Sequence, residues 1–107
     1  MAERRPVRRQ RVLLAGVIVF DQGRQSFKCS IQDVAPSGAR IKTPNPLPVL
    51  PPEVYLVNLK ARAAHRAQVV WKTRQEAGLN LVAAVDLDKS DDPNAAYLKR
   101  ILTAHTL

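Results

Sequence analysis

Apolar positions in this chain fall into short runs separated by turn residues, first at a spacing of two and finally at the spacing of a helix. Val12 to Phe20 and Ser26 to Asp33 flank Asp21-Gln22-Gly23-Arg24, whose Asp and Gly suit a tight reversal, so the pair predicts a β-hairpin. Gly38 to Thr43 alternates small or apolar with basic residues, as a half-buried strand does. Pro46, Pro48, Pro51 and Pro52 then forbid regular pairing and mark a connection. Beyond it, Val54 to Val57, His65 to Lys72 and Gly78 to Ala83 read as three more strands, with Arg74 to Ala77 as a polar turn. Near the end the period changes: Tyr97, Leu98, Ile101 and Leu102 form a helical stripe behind Asp92, a good N-cap, and Pro93, favoured at the first helical position. The expected fold is all-β with a C-terminal helix: a six-stranded antiparallel small β-barrel, with the helix over about 92–105 laid on it.

Length and composition narrow this further. The chain of 107 residues holds one domain, and 46% apolar with 24% charged residues is ordinary for a folded chain. A single cysteine, Cys29, leaves no intrachain disulfide and fits a reducing, cytoplasmic setting. The nine apolar residues Val12 to Phe20 behind a basic start imitate a secretory signal. They are β-branched, run into Asp21-Gln22-Gly23-Arg24 without a small-x-small cleavage site, and fall far short of the ~20 residues that span a bilayer. They therefore predict a buried strand, and no membrane span.

Charge adds a candidate partner. Seventeen Lys and Arg against nine Asp and Glu give +8, and Arg4, Arg5, Arg8, Arg9 and Arg11 sit in the first eleven residues. That concentration predicts a flexible arginine arm over 1–11 ahead of a domain over 12–107, and an anionic partner. Catalysis has no foothold: His65 and His105 lie far from any nucleophile pattern, so the chain does not read as an enzyme. No zinc spacing and no Gly-rich phosphate loop is present, and no cofactor is expected.

Two features carry chemistry. In Arg4-Arg5-Pro6-Val7-Arg8-Arg9, arginines repeat at four-residue separation in two registers. A guanidinium takes phosphate or a guanine O6/N7 edge bidentately and stacks on purines. In Asp33-Val34-Ala35-Pro36-Ser37-Gly38, a carboxylate at a strand end can accept from a guanine N1/N2 edge, and Gly38 admits a ligand close to the backbone. In isolation, the second stretch also reads as an ordinary type I turn. Trp71, late in its strand, reads as barrel-edge packing.

In this order the two features resemble the PilZ family, whose signature is an arginine motif of four-residue spacing before the first strand and Asp-x-Ser-x-x-Gly after the second. Arg5 and Arg9, preceded by Arg4, match the first, and Asp33 and Gly38 the second. Gln68-Val69-Val70-Trp71-Lys72 and Gly78-Leu79-Asn80-Leu81 look like the family's late hairpin. The chain departs from the pattern at Ala35, which stands where the family has Ser. The resemblance implies a receptor for cyclic di-GMP in which Arg5 and Arg9 clamp phosphates and guanines, Asp33 reads guanine and Gly38 admits the ligand. Arg4, Arg8 and Arg40 are auxiliary cations, the ordering of the arm is the signal, and an effector protein receives it. Ala35 keeps open an adaptor of the same fold that binds only proteins. A small nucleic-acid-binding barrel would also explain the charge, but its rings would cluster, whereas Phe20, Phe27, Tyr55, Trp71 and Tyr97 are scattered.

Overall fold

The computed structural model of the protein describes residues 10–88 and 93–105. Six strands, β1 (Gln10–Phe20), β2 (Gln25–Ala35), β3 (Gly38–Lys42), β4 (Glu53–Asn58), β5 (Ala63–Lys72) and β6 (Glu76–Val85), precede one helix, α1 (Pro93–His105). Every neighbouring pair is antiparallel, and the sheet closes in the order β1-β2-β3-β6-β5-β4. Closure leaves no unpaired strand edge to template aggregation. The six strands, the barrel and the helix all match the sequence expectation; Asp92, expected to cap α1, lies outside the described residues.

The long apolar run of β1 has a simple cause: both of its faces are covered. Leu14, Ile18 and Phe20 face the barrel interior with Cys29, Ile31, Ile41, Val54, Leu56, Ala67, Ala77 and Leu79. Val17 and Val19 point outward into a second apolar layer with Val57, Ala64, Leu98 and Leu102, which is the seat of α1. A strand buried on both faces loses polar alternation and reads as a continuous apolar run. The expected helical stripe is the one that docks, since Leu98 and Leu102 are buried and Tyr97 and Ile101 pack at the margin. Tyr97 also meets Tyr55 edge-on, at a centroid distance of 6.2 Å.

The β1–β2 reversal requires its glycine. Gly23 has φ +86°, and a Cβ there would lie 2.7 Å from the Tyr97 ring. The turn and the helix thus touch through a residue with no side chain, and any other residue would strain the backbone and displace the ring. At the barrel end where β3 stops and β6 begins, the proline stretch is held as a connection. Thr43 N–H donates to Gln75 O and Leu47 N–H to Arg74 O, both at 2.8 Å. Leu47 plugs onto the interior cluster.

Most strand ends differ from the sequence reading by one or two residues, and two of these shifts bear on the site. β1 starts at Gln10 rather than Val12, because Gln10 and Arg11 extend the ladder opposite Val34 and Asp33. Glu76 and Ala77, expected in a turn, open β6 opposite Lys42 and Ile41. The hairpin closes one step earlier, where Thr73 N–H donates to Glu76 O at 2.8 Å, so that Ala77 is fully buried in the core. Polarity alone mimicked a longer loop there. Cys29 is an interior packing residue: burial pushes its thiol up to about 12, which keeps it protonated and unreactive near neutral pH.

Candidate functional site

The β2–β3 hairpin turns through Pro36-Ser37 alone, since Ala35 pairs directly with Gly38. The turn is tied sideways to the barrel, with Leu81 N–H donating to Ser37 O at 2.8 Å. Register shifts lie on both sides of the region that follows, between Ile31 and Asp33 in the β2–β3 ladder and between Val69 and Trp71 in the β5–β6 ladder. Such irregularities re-aim side chains that strict alternation would place elsewhere.

The result is one transverse row across the barrel wall. Asp33 stands opposite Arg40, Arg40 opposite Gly78 and Gly78 opposite Trp71, while Arg11 of β1 lies opposite Asp33 on the other side. Over this row opens a cavity of about 290 Å³, lined among others by Asp33, Ala35, Ser37, Gly38, Arg40, Trp71, Gly78 and Asn80. Its size is at the small end of the range for small-molecule sites. The structure therefore gathers Asp33, Gly38 and Arg40 at one opening. Arg4, Arg5, Arg8 and Arg9 lie outside the described residues.

Charge in the site is ordered. Arg40 Nε donates to Asp33 Oδ2 at 2.6 Å and Arg40 Nη1 to Glu76 Oε1 at 3.0 Å. Asp33 is only 7% exposed, so its carboxylate is one of the few buried polar groups of the barrel and is held by a charge-assisted bond. The bond to Asp33 and then that to Glu76 push the Arg40 pKa above its ordinary value, so this guanidinium stays cationic throughout the working range. Arg40, expected as an auxiliary cation for the ligand, stands between two carboxylates and lines the cavity. Among the described residues, no group of three or more His, Cys, Asp or Glu is placed to hold a metal ion.

Trp71, which lines the cavity, and Glu76, which holds Arg40 beside it, both escaped the sequence reading. Trp71, assigned there to packing, is 43% exposed and lines the cavity. Its indole occupies the space left by a missing side chain: a Cβ on Gly78 would lie 2.1 Å from Trp71 Nε1. The Trp71-to-Gly78 pairing was visible in the sequence as a strand-ending Trp and a Gly-led return strand, but not the seat of one on the other. Glu76 carried no signal beyond its position two residues before Gly78, the spacing that puts both on the same strand face.

Gly78→Ala is expected to evict the ring from this seat. Because Trp71 is the only tryptophan, its fluorescence reports the change directly. The emission should shift to the red with the barrel still folded; an unchanged spectrum would mean that the ring does not rest on Gly78.

Comparison with known proteins agrees with this architecture. No curated protein matches the chain. The family model of the PilZ domain matches residues 3–104, nearly the whole chain. PilZ domains are generally cyclic di-GMP receptors, binding modules rather than enzymes. No helix among the described residues is long and apolar enough to cross a membrane. With a six-stranded closed barrel, a C-terminal helix and a family match of that extent, the chain belongs to the PilZ domain family.

Proposed function

We propose that this protein is a cyclic di-GMP receptor in which the cavity over Asp33 and Trp71 takes one guanine and the N-terminal arginines clamp the rest of the messenger. The observation that carries this reading is the convergence of Asp33, Gly38, Arg40 and a half-exposed Trp71 on one opening beside the start of β1. An opening of about 290 Å³ suits a base rather than a whole cyclic dinucleotide, so the phosphates lie outside it, where cations must reach them. Arg9 directly precedes Gln10, and Arg5 lies five residues ahead of Gln10, at most about 17 Å of extended chain. The chain that carries both motif arginines, with Arg4 and Arg8, enters the barrel at Gln10 and Arg11, opposite Val34 and Asp33, so its length alone allows them to reach that carboxylate. Ordering the arm costs conformational entropy, which ties its position to occupancy and gives an effector protein something to sense.

The test is calorimetry with cyclic di-GMP on the wild type and on Ala35→Ser. Ala35 lines the cavity, so a hydroxyl there restores the family's missing hydrogen bond. A net gain of about 0.5–1.5 kcal/mol tightens binding by a factor of about two to ten. Absence of heat from both proteins at tens of micromolar overturns the receptor reading. It would leave the adaptor that binds only proteins, which Ala35 and the existing hold of Arg40 on Asp33 favour. A nucleic-acid barrel draws little support from the rings. Phe20 and Phe27 pack edge-on at 6.4 Å and Tyr55 and Tyr97 at 6.2 Å, rather than lining one stacking surface.

A further inference from the structure

We infer that Glu76 is the positioning residue of the site: by holding Arg40, it fixes the carboxylate of Asp33 in the orientation that meets the guanine edge. The inference rests on the receptor reading for its ligand, but its structural part stands on its own.

Three strands build the arrangement. Asp33 comes from β2, Arg40 from β3 and Glu76 from β6, and 36 residues separate Arg40 from Glu76 in the chain. Arg40 uses two different nitrogens, Nε for Asp33 and Nη1 for Glu76. A guanidinium is a rigid planar fork on a long flexible stem, so one hydrogen bond leaves it free to pivot and a second on another nitrogen fixes its plane. Glu76 supplies the second. Its side chain is about one-third exposed and Asp33's is nearly buried, so Glu76 is placed as the outer brace and Asp33 as the inner, ligand-facing carboxylate. The residue opposite Arg40 on β6 is Gly78, whose missing side chain leaves its place in the row to the Trp71 indole.

Charge gives Glu76 a second consequence. With Arg40 Nε donating to Asp33 and Nη1 to Glu76, the pair of carboxylates sets what this part of the row accepts. It favours a face that presents two adjacent donors, as the N1–H and N2–H₂ edge of guanine does, whereas the adenine edge sets its N6–H₂ donor beside an N1 acceptor.

The experiment is a double-mutant cycle read by calorimetry with cyclic di-GMP, together with the Arg40 Nε–H resonance of the ligand-free protein. Glu76→Ala is expected to weaken binding five- to tenfold, whereas Glu76→Gln, which keeps an oxygen acceptor for Nη1, stays within about threefold of wild type. In an Arg40→Ala background Glu76→Ala should add nothing, because Glu76 acts through Arg40. The Nε–H signal should be sharp in the wild type and in Glu76→Gln and broadened by exchange in Glu76→Ala. Full-affinity binding by Glu76→Ala, a multiplicative loss in the Arg40→Ala background, or a Glu76→Gln defect as large as that of Glu76→Ala would each overturn the positioning role. If the wild type itself gives no heat, the receptor reading fails, and the Nε–H signal still decides whether Glu76 fixes Arg40.

Discussion

Replacing Ile18 by alanine is expected to cost about 2–5 kcal/mol, the range for truncating a large aliphatic residue in a core that collapses only partly. Ile18 is fully buried near the C-terminal end of β1, facing the interior, while its neighbours Val17 and Val19 hold the helix on the opposite face. A cavity at this point therefore loosens a strand that serves both apolar layers. A domain of this size has roughly 5–15 kcal/mol of stability, so the variant should melt at least about 10 °C lower. Thermal denaturation followed by circular dichroism measures it. Ile18→Val removes one methylene and should cost only about 0.5–1.5 kcal/mol. Val49→Ala, on a residue 88% exposed, should fall within about 0.5 kcal/mol of wild type. Equal melting temperatures for Ile18→Ala and Val49→Ala would contradict the placement of β1 between two cores.

The second large effect falls on binding. Under the receptor reading, the double variant Arg5→Ala with Arg9→Ala loses two charge-assisted contacts of about 1.5–3 kcal/mol each, which predicts a loss of affinity on the order of a hundredfold or more. Thermal denaturation of the same variant is the control that separates lost ligand contacts from lost folding. Arg5→Lys with Arg9→Lys separates two explanations of the loss. Lysine keeps the charge and gives up the planar fork, so substantial loss in this variant identifies bidentate recognition, and near-complete retention identifies simple charge attraction. Added salt should weaken the wild type and spare the residual binding of the alanine variant. Wild-type affinity in the double alanine variant would remove the arm from the site and leave Asp33, Arg40 and Trp71 to account for recognition.

Much of this molecule is legible residue by residue along the chain. Strands declared themselves through β-branched runs, the helix through Tyr97, Leu98, Ile101 and Leu102, and the breaks through Gly23 and the prolines. These signals are local: a period of two or of 3.6 is a property of neighbours in sequence, and so is the chemistry of a turn. The order of the arginine motif, Asp33 and Gly38 is local in the same sense. It was enough to indicate the family, and the six-strand count with a closing helix agreed with it.

What the sequence could not determine is which residues from distant strands share one row of the wall. Glu76 was assigned to a turn because it is polar and next to Arg74 and Gln75, and only its pairing with Lys42 places it in β6 within reach of Arg40. Trp71 was assigned to packing because nothing along the chain reveals that Gly78 leaves a vacant seat beside the cavity. Arg40 was expected as an auxiliary cation for the ligand, and only the structure brings carboxylates from β2 and β6 onto it. The sequence by itself determined the elements, the domain and the inner carboxylate. Tertiary structure alone decided the company that carboxylate keeps, because barrel closure and two register shifts, not proximity in the chain, bring β2, β3, β6 and β5 into one line.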